Sequence, residues 1–99
     1  MNLQIQCIHF HADKKLLQLI DHKLAKFTKF ANWIIDLEVY LKLEASHSKF
    51  KDKIIEIKLN VKGYSLFVKS MSKTFEDALD NAVDDIYRQF IKFKEKVQA

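Results

Sequence analysis

The sequence predicts an α+β domain of order β-α-β-β-β-α, a four-stranded sheet with two helices packed on one face. Two periodicities and one absence predict it. Apolar residues alternate with polar ones in several separate stretches, as in half-buried strands, and recur every three or four positions in two others, as in amphipathic helices. Proline is absent and Gly63 is the only glycine, so no linker and no glycine-rich phosphate loop divides the chain. With 99 residues, 48% of them hydrophobic, the chain fills one domain, 1–99, and can build a core without disulfides or a structural metal.

The first strand rests on Leu3, Ile5 and Cys7 on one side and Gln4 and Gln6 on the other. From Asp13, a suitable N-cap, the period lengthens: Leu16, Ile20, Leu24 and Phe27 form a stripe that Leu17, Leu19 and Phe30 widen. Alternation returns at Leu37, Val39, Leu41 and Leu43, with Glu38, Tyr40, Lys42 and Glu44 opposite. It returns again at Ile55, Ile57, Leu59 and Val61, and the two stretches read as an antiparallel pair. Their connection, Ala45 to Lys53, is polar and too long for a tight turn, so an exposed mobile loop is expected. Gly63 tolerates a positive φ and turns the chain into a fourth strand from Ser65 to Met71, whose two faces separate less clearly. Phe75, Leu79, Ala82, Val83, Ile86, Phe90, Phe93 and Val97 then stripe a last helix that Ser72 or Thr74 caps.

Composition narrows the function classes. No apolar run is long enough to cross a bilayer, and the opening MNLQIQCIHF is not a leader, so a cytoplasmic protein without a membrane partner is expected. A lone Cys7 in the apolar register reads as a small core residue, which removes disulfide, CxxC and thiol-nucleophile chemistry. His9 and His11 share one side of a strand but have no evident third and fourth ligand, so no metal is expected. No acid-base pair or nucleophile stands out, and neither an enzyme nor a cofactor is predicted.

Seventeen Lys and Arg against thirteen Asp and Glu give a net charge of +4, which favours an anionic partner. Cations crowd both helices, with Lys14, Lys15, Lys23, Lys26 and Lys29 on the first and Arg88, Lys92, Lys94 and Lys96 on the last. If both helices lie on one sheet face, their flanks form a basic ridge suited to phosphates across a groove of structured RNA. The last helix also places Asp77, Asp80, Asp84 and Asp85 before its cations, an order the helix dipole favours in any solvated helix; charge spacing leaves both readings open. Among aromatics, Trp33 reads as a cap on the core edge, while Phe50, between Lys49 and Lys51, is the better exposed contact.

Four segments then carry a family resemblance over nearly the whole chain: MNLQI, HKLAKF, VYLKLE and DALDNAVDDIYRQFIKFKEK, the last being the most specific. The chain resembles the short ribosome hibernation-promoting factors and related ribosome-associated inhibitors. The resemblance implies a topology like that of double-stranded RNA-binding domains. It also implies a binding place in the messenger and transfer RNA channel of the small ribosomal subunit, with ribosomal RNA contacts at Lys23, Lys26, Arg88, Lys92, Lys94 and Lys96. It departs at VKSMSKTFED, where the family tends to have an acidic residue, a glycine and a D-x-Y segment, so no contacts carry over to that turn. Since the sequence stops at Ala99 without the extension of longer members, a monomer off the ribosome is expected. The rival expectations are a free-standing double-stranded RNA binder and a protein-interaction module using Tyr40 and Ile54 on the polar sheet face.

Overall fold

An alternating strand cannot bury its apolar side alone, and here the strands do so by joining one sheet roofed by the helical segments. The computed structural model describes residues 1–44 and 52–98. Its elements are β1 (Asn2–Cys7), α1 (Lys14–Leu24), a 3₁₀ helix (Ala25–Phe30), β2 (Ile34–Glu44), β3 (Asp52–Val61), β4 (Tyr64–Ser72) and α2 (Phe75–Gln98). The predicted order of strands and helices is the observed one, and no helix is long and apolar enough to cross a membrane among the described residues.

The sheet order is β1-β2-β3-β4. β1 runs parallel to β2, pairing Leu3 with Leu37 and Ile5 with Val39, whereas β2, β3 and β4 form an antiparallel meander. Parallel neighbours need a crossover, and α1 with the 3₁₀ helix supplies it. The inner face carries Leu37, Val39, Leu41, Ile55, Ile57, Leu59, Leu66 and Val68, all buried against Ile20, Leu24, Phe27, Leu79, Ile86 and Phe90 from the helices.

Three local features extend or shift the expected elements. β2 starts at Ile34 because a register irregularity between Ile34 and Asp36 pushes Ile35 outward, 56% exposed, and lets Ile34 and Leu37 both face the core. Val61 and Tyr64 pair across the Lys62-Gly63 turn, where Gly63 has φ +78°, at the turn position that a type II geometry reserves for glycine. β4 proves longer and cleaner than expected, with Leu66, Val68 and Ser70 buried and Ser65, Phe67, Lys69 and Met71 outward. Lys53 belongs to β3, and Phe50 lies outside the described residues.

Both helix starts are capped by side chains. The Leu16 N–H donates to Asp13 Oδ1 at 2.8 Å, and the Asp77 N–H donates to Thr74 Oγ1 at 3.1 Å, so Thr74 rather than Ser72 is the cap. The stripe expected to run on to Phe30 as one helix changes form after Leu24. Leu24, Phe27 and Phe30 are three apart, and in a 3₁₀ helix such residues stack on one edge. Leu17, expected in the stripe, is left exposed beside Leu3 and Ile5. Trp33 packs on the core edge, as expected, and Cys7, in the apolar register of β1, is half-buried against the core.

Phe27 is fully buried and meets Tyr87 at 5.6 Å and Phe90 at 6.5 Å between ring centroids, both edge-on. Phe27→Ala is expected to cost about 3–5 kcal/mol; chemical denaturation of wild type and variant measures it, and a loss below about 1 kcal/mol would mean the seam repacks freely.

Candidate nucleic-acid interface

The first helical pair and α2 lie side by side and run in the same direction. Phe10 stacks on Phe75 at 5.2 Å near their amino ends, Lys23 Nζ reaches Asp80 at 3.0 Å farther along, and Phe30 meets Phe90 at 4.9 Å near the other end. The carboxyl half of α2 and the 3₁₀ helix therefore share one end of the domain. Lysines collect there because Lys23, Lys26 and Lys29 repeat with the same period of three as Leu24, Phe27 and Phe30, one position earlier.

Aromatic rings hold these ammonium groups. Lys26 Nζ sits 4.7 Å from the Tyr87 ring centre; Lys29 Nζ lies 5.3 Å from Phe30 and 5.7 Å from Tyr87. Lys94 Nζ completes the group at 5.8 Å from both Phe30 and Trp33. A ring face attracts a cation without consuming its N–H donors, so each ammonium keeps protons for an incoming phosphate. Lys29, Phe30, Trp33 and Tyr87 join the site beyond the residues that the resemblance implies, and the three-residue lysine spacing is the signal that marks Lys29.

The remaining predicted contacts are placed differently. Lys23 is tied to Asp80, and Arg88 donates to Asp85 Oδ1 at 2.6 Å. Both pairs are solvent-exposed and worth about 1 kcal/mol or less, so a phosphate can displace the carboxylate. Lys92 and Lys96 lie on the opposite flank of α2, where they border a groove with Tyr64, Leu66, Gln89 and Phe93. The six predicted residues thus straddle α2: Lys23, Lys26 and Lys94 line the seam, Arg88 lies beside Asp84 and Tyr87, and Lys92 and Lys96 face the β4 side.

The outer sheet face has a different character. Asn60 Nδ2 donates to Asp36 Oδ1 and, at 2.8 Å, to Glu38 Oε2, while the Tyr40 hydroxyl donates to Glu38 Oε1 at 2.7 Å. These bonds, Tyr40 first and Asn60 second, hold the Glu38 carboxyl below its usual pKa despite partial desolvation. The same bond to Glu38 raises the Tyr40 hydroxyl. Tyr40 is thereby engaged, and Ile54, paired with Lys42 and Met71 on its neighbouring strands, is buried, so neither offers the free apolar contact expected of a sheet-face interface. His9 and His11 lie past the end of β1, both exposed, and no cluster of metal-ligating side chains occurs among the described residues.

The fold and this surface define an α+β docking domain whose helical roof gathers cations at one end while its sheet floor carries organised carboxylates. Family-level comparison places residues 3–98 within the Sigma 54 modulation protein / S30EA ribosomal protein family, and the chain belongs to that family. The family is one of ribosome-associated factors of the hibernation type and is not a known enzyme family. Among solved structures, a ribosomal subunit interface protein from Coxiella burnetii superposes with a TM-score of 0.81 at 17% identity, over 96% of this chain and 99% of that one. The N-terminal domain of Protein Y from Thermus thermophilus superposes with a TM-score of 0.72 at 19% identity, over 94% of this chain and 99% of that one. At such identities these likenesses establish the fold. Comparison with curated proteins finds no match.

Because Glu38 has a depressed pKa in the folded state, its contribution to stability is full above the ordinary glutamate pKa and is lost as pH falls through the folded value. Denaturant unfolding is expected to show wild type losing its advantage over Glu38→Gln as the solution is acidified; a constant difference would mean that the Asn60 and Tyr40 bonds do not favour the carboxylate.

Proposed function

We propose that the protein binds the small ribosomal subunit in the cytoplasm, as a monomer, and silences translation in non-growing cells by filling the channel that messenger and transfer RNA would use. Occupancy is the mechanism, and no chemical step is involved. The observation that carries this reading is the gathering of Lys26, Lys29 and Lys94 over one aromatic seam, with Arg88 on the adjacent α2 surface. Family membership names the kind of assembly that such a surface meets.

The physical sequence is simple. Long-range attraction brings the cationic end to folded RNA, and release of counterions from the phosphates supplies much of the affinity. Lys23, Lys26, Arg88, Lys92, Lys94 and Lys96 then bind backbone phosphates, Lys23 and Arg88 by exchanging Asp80 and Asp85 for them. Shape sets the position, since structured RNA offers its backbone more readily than its base edges. A free-standing double-stranded RNA binder has the same charge requirement and differs in not needing the ribosome.

Sedimentation of the purified protein with isolated subunits at low and moderate salt tests the reading. Wild type is expected to travel with the small subunit, less at moderate salt, and a variant carrying Lys23, Lys26, Arg88 and Lys92 each changed to Glu is expected to stay at the top of the gradient. In a titration series, each lost phosphate contact should flatten the dependence of log affinity on log salt by about one unit. Equal affinity for a plain RNA duplex favours the free-standing binder, and salt-insensitive binding contradicts both.

A further inference from the structure

Tyr64 follows the glycine turn directly and packs where the start of β4 meets the carboxyl half of α2. Its ring stacks parallel on Phe93, with centroids 5.2 Å apart and planes 7° apart, yet the residue remains 55% exposed. One face of the tyrosine is held and the other is open. Tyr64 borders a groove of about 540 Å³ lined also by Leu66, Gln89, Lys92, Phe93, Glu95 and Lys96, a size within the range of small-ligand pockets. Lys62 is exposed on the adjoining turn. Lys92 and Lys96 form no ion pair among the described residues, unlike Lys23 and Arg88.

We propose that this groove is a stacking site for an unpaired nucleobase of single-stranded RNA, with Tyr64 as the platform and Lys92, Lys96 and Lys62 along the path of the strand. A rigidly backed aromatic face flanked by free cations is what a sequence-tolerant single-strand site requires, since every base has a π-face and every nucleotide a phosphate. A duplex does not fit, because its bases already stack on one another and present only edges and backbone. Nor does a second copy of the chain fit well, because a two-fold contact through this groove would bring the same lysines face to face. Among the described residues, Glu95 carries the one carboxylate lining the groove and Gln89 the one amide. A carboxylate accepts hydrogen bonds from the exocyclic amino groups of adenine, cytosine and guanine, whereas the N3–H of uracil lies between two carbonyl oxygens that repel it, so amino-bearing bases are preferred. The site goes beyond the proposed function: it shares Lys92 and Lys96 with the ribosomal reading but not Tyr64, and it needs no ribosome.

Nuclear magnetic resonance titration of the full chain with hexa-adenylate, hexa-uridylate and a short RNA duplex tests it. Hexa-adenylate is expected to shift the Tyr64 ring resonances upfield in a saturable way, more tightly than hexa-uridylate and without an equivalent effect from the duplex. Tyr64→Leu, which keeps an apolar contact on Phe93, should weaken hexa-adenylate binding about five- to a hundredfold, and Tyr64→Phe should retain it. Absent ring shifts in wild type overturn the proposal whether or not the leucine variant folds, and unchanged binding by a folded Tyr64→Leu overturns it too. A concentration-dependent dimer that Tyr64→Leu abolishes makes the groove a contact between copies and likewise overturns it. Equal binding of the two homopolymers overturns the base preference. Ribosome sedimentation keeps the two readings apart: wild type that binds hexa-adenylate at Tyr64 but never travels with a subunit sinks only the ribosomal reading.

Discussion

The contact on which the rest of the roof depends is the set of ring contacts among Phe27, Phe30, Tyr87 and Phe90. Two of these rings come from a 3₁₀ helix, a form that seldom persists on its own backbone bonds. Here it is held by burying Phe27 completely and setting Phe30 edge-on to Phe90. Fixing that segment fixes Lys26 and Lys29, and fixing Phe30 and Trp33 gives Lys94 its neighbours. Free lysines lose considerable rotamer entropy when they are ordered by a ligand. Ammonium groups already resting on rings have lost part of it, so a polyanion meets a surface partly arranged in advance.

A net charge of +4 conceals how unevenly the molecule is charged. On the sheet floor, Asn60 spends both amide protons on two carboxylates, and Ser65 Oγ donates to its carbonyl oxygen at 2.6 Å, so one neutral residue organises an acidic corner. Lys42 and Glu56 bridge at 2.8 Å nearby. The floor is therefore mixed, with Phe67 and Met71 exposed beside these polar pairs, and its acidic corner repels a polyanion. At the cationic end of the roof, ring faces hold Lys26, Lys29 and Lys94 and leave their N–H donors available. Orientation toward a polyanion follows from this contrast more than from the total charge.

Much of the fold was legible because the apolar periods were clean: two and then four residues in the first third of the chain, two through the central strands, and a long helical stripe at the end. What escaped was local. The displaced Ile35 hid the true start of β2, since a bulge interrupts alternation in the sequence just where the strand itself continues. The change from α to 3₁₀ winding was written in the spacing of Leu24, Phe27 and Phe30, but an assumed turn of 3.6 residues rotates Lys26 and Lys29 progressively away from Lys23 and hides that the three form a row. The candidate site was legible as a set of cations and illegible as an arrangement. Helical projection cannot show that Lys23 would find Asp80, that Lys92 and Lys94 would fall on opposite sides of α2, or that Tyr64 would lie against Phe93, because each depends on how separate elements meet.

The shared direction of the two roofing segments has one more consequence. Glu76, Asp77, Asp80, Asp84 and Asp85 occupy the first half of α2, while Arg88, Lys92, Lys94 and Lys96 occupy the second, alongside Lys26 and Lys29. Glu95 aside, negative and positive side chains are thus separated along α2, and the domain carries that helix's electric moment. In the field of a large polyanion such a body experiences a torque as well as a pull, so it turns its cationic end forward while still diffusing. The fraction of collisions that begin in a usable orientation rises accordingly.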